Sequence, residues 1–221
     1  MRRFLARAHV WLGWIVGVPL LFWTASGLFM AAQPIETVRG EHLKRSPAPL
    51  VLTGPVVAPV TGPRPVKTIT LEARLDGPKW IVTYIDGGGR LADPATGALL
   101  PRIDAVMATN LARAAFAGSA GLQSVSRTAA DAPPLDLRRS RPAWQAAFAD
   151  GTHVYIDAET GSVLATRTRF WRAYDFMWGL HIMDLQTREE TSHPILIAFA
   201  ALACIGVIIG LTLLPWRRRS S

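Results

Sequence analysis

Apolar positions fall into one unbroken run near each end of the chain and a patterned stretch between them. Residues 10–32 (VWLGWIVGVPLLFWTASGLFMAA) and 194–216 (PILIAFAALACIGVIIGLTLLPW) each hold 23 positions without a charge. As helices they would each be about 34 Å long, enough to cross a hydrocarbon core of about 30 Å. Buried helices of soluble proteins seldom stay charge-free beyond about 14 residues, so both runs are predicted to be transmembrane helices. A cleavable signal peptide competes for the first run. That run is too long for a signal core, and near Met30-Ala31-Ala32 no −3/−1 pair is small, so a retained anchor is expected.

Between the runs the pattern changes several times. Residues 46–65 carry six prolines (Pro47, Pro49, Pro55, Pro59, Pro63, Pro65), a spacing no regular helix can run through. An extended linker is expected there, with edge-strand character around Leu50–Thr53. Beyond it the chain repeats at an offset of 64: Pro78/Pro142, Trp80/Trp144, Asp86-Gly87/Asp150-Gly151, Asp93/Asp157, Thr96-Gly97/Thr160-Gly161 and Leu100/Leu164, eight identities in 23 ungapped positions. Each copy reads as a β-hairpin with an Asp-Gly turn, followed by an Asp-x-x-Thr-Gly turn and a third short strand. In the second copy His153, Tyr155 and Asp157 alternate with Val154 and Ile156, which predicts one wet face and one buried face. Ile103, Val106, Met107, Leu111 and Ala114 recur at helical spacing, with Gly118 as the expected C-cap, and Val66–Leu75 is read as a second helix.

The expected fold is therefore an α+β domain of two repeats, helices packed on antiparallel sheet, flanked by N- and C-terminal transmembrane helices. The predicted division runs as follows: basic N-terminus 1–9, first span 10–32, Pro-rich linker 33–65, repeat 1 66–102, repeat 2 103–167, aromatic juxtamembrane segment 168–193, second span 194–216 and basic tail 217–221.

Charge refines this picture. A pI near 10.7 would suggest nucleic acid as a partner. Six of the 24 Lys and Arg, however, flank the spans at Arg2, Arg3, Arg7, Arg217, Arg218 and Arg219, and the remaining 18 stand against all 16 Asp and Glu. The basicity is topological and excludes nucleic-acid binding as a leading reading. It predicts cytoplasmic termini and a periplasmic centre, by the positive-inside rule. Cys204 is the only cysteine, so no intrachain disulfide can staple the domain.

Three features carry candidate chemistry. In residues 170–186, Trp171, Tyr174, Trp178, His181 and Leu185 share one helical face. This suits an interfacial anchor, or a partner or ligand groove lined by Trp171, Tyr174, Trp178, His181 and Asp184. Gly13 with Gly17, and Gly206 with Gly210, form Gly-x-x-x-Gly pairs that let helix backbones approach closely, within the chain or between copies. His181, Asp184, Glu190 and His193 lack the tight spacing of a metal site, and no metal is assigned. His153 stands opposite Gly89 in the repeat alignment and is expected to face solvent. No nucleophile elbow, phosphate loop or zinc-protease helix occurs, so no catalytic residues are assigned.

The tryptophan, Asp-Gly turn and Asp-x-x-Thr-Gly unit resembles the PepSY domain, and nearly the whole chain resembles the PepSY-associated transmembrane proteins of bacterial inner membranes, as a small two-span member. His9-Val10-Trp11-Leu12-Gly13, Thr24-Ala25-Ser26-Gly27-Leu28, Leu180-His181 and the closing Leu-Leu-Pro-Trp-Arg-Arg-Arg are similar to that family's landmarks. The resemblance implies an inner-membrane protein presenting a periplasmic binding or regulatory domain, accessory to iron or siderophore uptake or to a membrane protein partner. Its alternative implication is a b-type haem-binding electron-transfer component, a membrane reductase subunit, with His9, His181 and His193 as candidate haem ligands. His9 lies at the opposite membrane face from His181 and His193, so within one chain it cannot share a haem with them. A haem would need His9 pairing across a dimer, or His42, His181 and His193 converging at the outer face.

Overall fold

A computed structural model describes residues 1–217, with side-chain surroundings up to Leu214. Arg218 and Arg219 of the expected basic tail lie outside the described residues. So do the side chains of the closing Pro-Trp-Arg motif. The chain divides into two compact units, one formed by residues 1–34 together with those from 172 onward, the other by residues 35–171.

The first unit is helical. Helix α1 (Arg2–Ala31) begins well before the apolar run, because Arg2 to Ala8 contain nothing that breaks a helix. It packs along helix α5 (Pro194–Arg217). Both are long and apolar enough to cross a membrane. Most of their apolar side chains face outward, Trp14 at 76% exposure and Leu211 at 59%, a surface suited to hydrocarbon rather than water.

The second unit is α+β. A short helix α2 (Ile35–Val38) and a 3-10 turn (Glu41–Leu43) lead to the Pro-rich stretch, which has no regular structure, including at Leu50–Thr53. Strands β1 (Val66–Glu72), β2 (Lys79–Tyr84) and β3 (Gly89–Ala92) form one antiparallel sheet. After helix α3 (Ala105–Ala115), strands β4 (Leu122–Thr128), β5 (Ala143–Phe148), β6 (His153–Asp157) and β7 (Val163–Arg167) form a second. Helix α4 (Arg169–His181) begins at the end of this unit and continues into the first.

The two sheets are built alike. Tyr84 and Phe148, 64 positions apart, pair with Val66 and Leu122 respectively, and an irregularity follows at the same place in each, between Val66 and Thr68 and between Leu122 and Ser124. Asp93 Oδ1 accepts from the N–H groups of Ala95 and Thr96, as Asp157 Oδ1 does from Glu159 and Thr160. The glycines closing these turns, Gly97 (φ 72°) and Gly161 (φ 64°), take the left-handed conformation that a side chain disfavours. The duplication is therefore one of register and turn chemistry, not of scattered identities alone.

Several expectations are corrected. Val66–Leu75 is not a helix, because Val66, Thr68, Ile69 and Thr70 favour a pleated strand. Gly118 does not cap α3. The helix ends at Phe116 in extended backbone, and a Cβ on Gly118 would fall 2.3 Å from the Phe116 ring, so the glycine clears space for that ring against Phe148. The outer face of β6 is not wet. Residues 129–142 fold over it, and Leu137 packs with Ala143, Tyr155 and Ala165.

The main core lies where α3 crosses the second sheet. Asp104 starts the helix by accepting from Met107 N–H at 2.7 Å, and the small side chains of Ala108 and Ala112 let it lie close to Ala146, Phe148, Val154 and Ile156. Leu91 and Ile81 of the first sheet join the same cluster.

Candidate functional site

In the helical unit the aromatic segment is engaged internally. Helix α4 closes with Met183 in the left-handed region (φ 57°), while Asp184 N–H donates to Gly179 O and Met183 N–H to Leu180 O, a six-to-one and five-to-two pair that satisfies its last carbonyls. Asp184 then gathers the next loop, accepting from Gln186, Thr187, Glu189 and Glu190 N–H and from the Thr187 hydroxyl. The Thr187 hydroxyl first, then the N–H groups of Thr187, Glu190 and Glu189, hold the Asp184 carboxyl well below the usual carboxylate range against the opposing effect of burial. Arg188 pairs with buried Asp175 at 2.8 Å, and its carbonyl accepts from the Trp178 indole at 3.0 Å.

His181 is received by α1. Its ring stacks on Trp23 at 4.9 Å, its Nδ1 lies 3.0 Å from the Trp23 carbonyl, and Gly27 leaves room where a Cβ would come within 3.0 Å of the ring. A carbonyl only accepts, so Nδ1 carries the proton. Tyr174 meets Phe29 of α1 at 6.4 Å. Trp171 belongs to the α+β unit, buried beneath the Arg167 guanidinium at 4.1 Å. The five residues expected to line one groove are thus committed to separate contacts. Ser26 and Gly27, together with Trp23, form the notch in α1 for His181, a relation that neither segment discloses alone.

Of the four glycines, Gly210 alone meets a partner in the chain, His9, whose Cε1 would lie 2.9 Å from a Cβ there. Gly13, Gly17 and Gly206 look onto open space, so α1 and α5 do not pack through the expected pairs. The two helices instead leave an apolar cleft of about 450 Å³ between them, lined by Val16, Leu20, Trp23, Phe199, Cys204 and Ile208 among others. His9 and His181 touch positions far apart on the helices, His181 beside Gly27, 18 residues and about 27 Å beyond His9 along α1. They do not fit a haem shared within the chain. Among the described residues, the buried Nδ1 atoms of His9 and His193 find no hydrogen-bond partner. His42 lies in the other unit and is exposed.

In the α+β unit two arrangements stand out that the sequence did not signal. The first lies under residues 129–142. Asp136 accepts from the Tyr155 hydroxyl at 2.5 Å, lies 3.1 Å from His153 Nδ1, and through its carbonyl accepts from Arg167 at 2.7 Å. Gln145 also donates to the Tyr155 hydroxyl. His153, expected to face solvent, is half-buried here because Asp136 folds over it. The network holds the 129–142 segment on the sheet, and every named group in it is occupied.

The second is the course of residues 55–64. Trp80 donates its indole N–H to Val57 O at 2.8 Å, Val57 and Val60 donate to the carbonyls of Pro94 and Gly97 at 2.9 Å each, and Arg64 lies over the Tyr84 ring at 3.9 Å while pairing with Asp86. Arg64 and the Gly88 N–H hold the Asp86 carboxyl below its ordinary range. Trp80 and Tyr84 share a strand face with Val82. This Pro-rich segment is therefore a strap lying on the first sheet, not a free linker.

No family model, curated protein or solved structure matches this chain.

Proposed function

We propose that the chain is an inner-membrane protein that presents a PepSY-type binding or regulatory domain on the periplasmic side, accessory to iron or siderophore uptake or to a membrane protein partner. The duplicated α+β unit carries the reading. Both copies keep the tryptophan, the same strand register and the same Asp-x-x-Thr-Gly turn bonded in the same way, the features on which the PepSY resemblance rests. Two helices apolar enough to span a membrane, with arginines at their outer ends, support anchoring with both termini in the cytoplasm.

Reporter fusions test this reading. A reporter active only in the cytoplasm should be active after Ser221 and silent when inserted near Gly88. The reverse pattern would overturn the orientation and the periplasmic assignment together.

A further inference from the structure

Comparing the two copies shows what the strap replaces. In the second copy Trp144 donates its indole N–H to Ile103 O at 2.9 Å, and the chain continues from there into α3, which covers that face of the sheet. In the first copy Trp80 makes the same bond to Val57 O, and the chain continues in extended form. Prolines explain the difference, since Pro55, Pro59, Pro63 and Pro65 exclude a helix.

The strap is held by its backbone. Trp80 grips the Val57 carbonyl, and the turn carbonyls of Pro94 and Gly97 take the N–H groups of Val57 and Val60. Gly97 is required for this approach, because a Cβ there would fall 2.4 Å from Ala58 O. The side chains contribute less: Val56, Val57 and Val60 stay 37%, 44% and 65% exposed. An indole N–H donating to a carbonyl of an extended, proline-bearing segment is also how aromatic-lined grooves read such peptides, whose prolines reduce the entropy lost on binding.

We infer that the Trp80 face of the first repeat is a recognition groove for an extended, proline-bearing apolar peptide of a protein partner, and that residues 56–60 occupy it in cis until such a peptide displaces them. The inference rests on the reading of this domain as a binding module and names what it binds.

The test uses the full chain in detergent and a labelled peptide of residues 54–62 (GPVVAPVTG), with binding read by fluorescence anisotropy. Replacing residues 55–60 by a Gly-Ser hexamer should expose the groove and raise affinity at least about tenfold over the unmodified chain. Val57→Pro, which removes a single strap N–H, should raise it by a smaller factor. Adding Trp80→Phe to the hexamer variant should lower affinity about tenfold with the melting temperature of that variant unchanged. Equal peptide affinity with and without the strap would overturn the inference, as would unchanged affinity on Trp80→Phe. Unfolding of the hexamer variant, seen by circular dichroism, would also overturn it, by making the strap an integral cover. None of these results would alter the reporter pattern, so failure here is distinct from failure of the membrane-anchored reading.

Discussion

Asp184 gathers a whole loop on one carboxylate, and its ionisation is accordingly tied to folding. Its folded carboxyl sits below the ordinary range, so the ionised form is the better bound. The stability it contributes is full above the unfolded carboxyl pKa of about 3.9, declines gradually below it, and is lost only as pH falls through the lowered folded value. Asp184→Asn should therefore lower the melting temperature at pH 7, and the gap to the unmodified chain should begin to narrow below about pH 4 and keep narrowing towards the strongly acidic range. A gap that stayed constant across that range would assign the effect to packing instead of charge. At the His181 notch the constraint is steric. Gly27→Leu would push into the imidazole at 3.0 Å, displacing it from Trp23, and should cost about 1–3 kcal/mol, in line with overpacked sites. A melt matching that of the unmodified chain would show that α4 is held by its other contacts alone.

At the scale of elements, the duplication makes two tryptophans formally equivalent and physically unequal. Trp144 packs against the main core and is covered by the start of α3, whereas Trp80 is covered by a strap whose side chains stay largely in solvent. Trp144→Ala should cost about 3 kcal/mol through lost packing and an unpaired Ile103 carbonyl, and Trp80→Ala only about 1 kcal/mol. Thermal melts of the two variants compare them directly. Equal losses would place the strap on the same footing as the helix and weaken the case for its displacement. The hairpins and their Asp-Gly and Thr-Gly turns were legible because turn chemistry is local. Residues 66–72 form strand β1 and not the expected helix because Val66, Thr68, Ile69 and Thr70 are β-branched and because β2, beyond the next turn, supplies their backbone partners, a pairing that no short window of sequence contains.

At the scale of the molecule, the exposed apolar faces of α1 and α5 are consistent with burial in lipid, and the single cysteine offers a direct probe. Cys204 lies in the second apolar helix and is exposed on its surface, so a bilayer would shield it from a membrane-impermeant maleimide. Labelling should be absent in intact cells and appear after detergent is added. Ser119→Cys in a Cys204→Ser background, on an exposed turn of the α+β unit, should be labelled in intact cells when that unit is periplasmic. Labelling of position 119 only after permeabilisation would put the unit in the cytoplasm.

The sequence by itself determined two apolar helices of membrane-spanning length, a duplicated hairpin unit and the helix between its copies, since each depends on charge, periodicity or turn residues within a few positions. The tertiary structure alone decided what those elements meet. Asp136 reaches His153 and Tyr155 across 17 and 19 positions, His181 finds Trp23 and Ser26 across more than 150, and neither pairing leaves a periodic trace. The prolines of residues 55–65 excluded a helix, yet nothing local told that segment to lie down on Trp80 and the Pro94–Gly97 turn. That placement follows from an indole N–H and two carbonyls needing partners on a sheet face that the second copy covers with a helix and the first cannot.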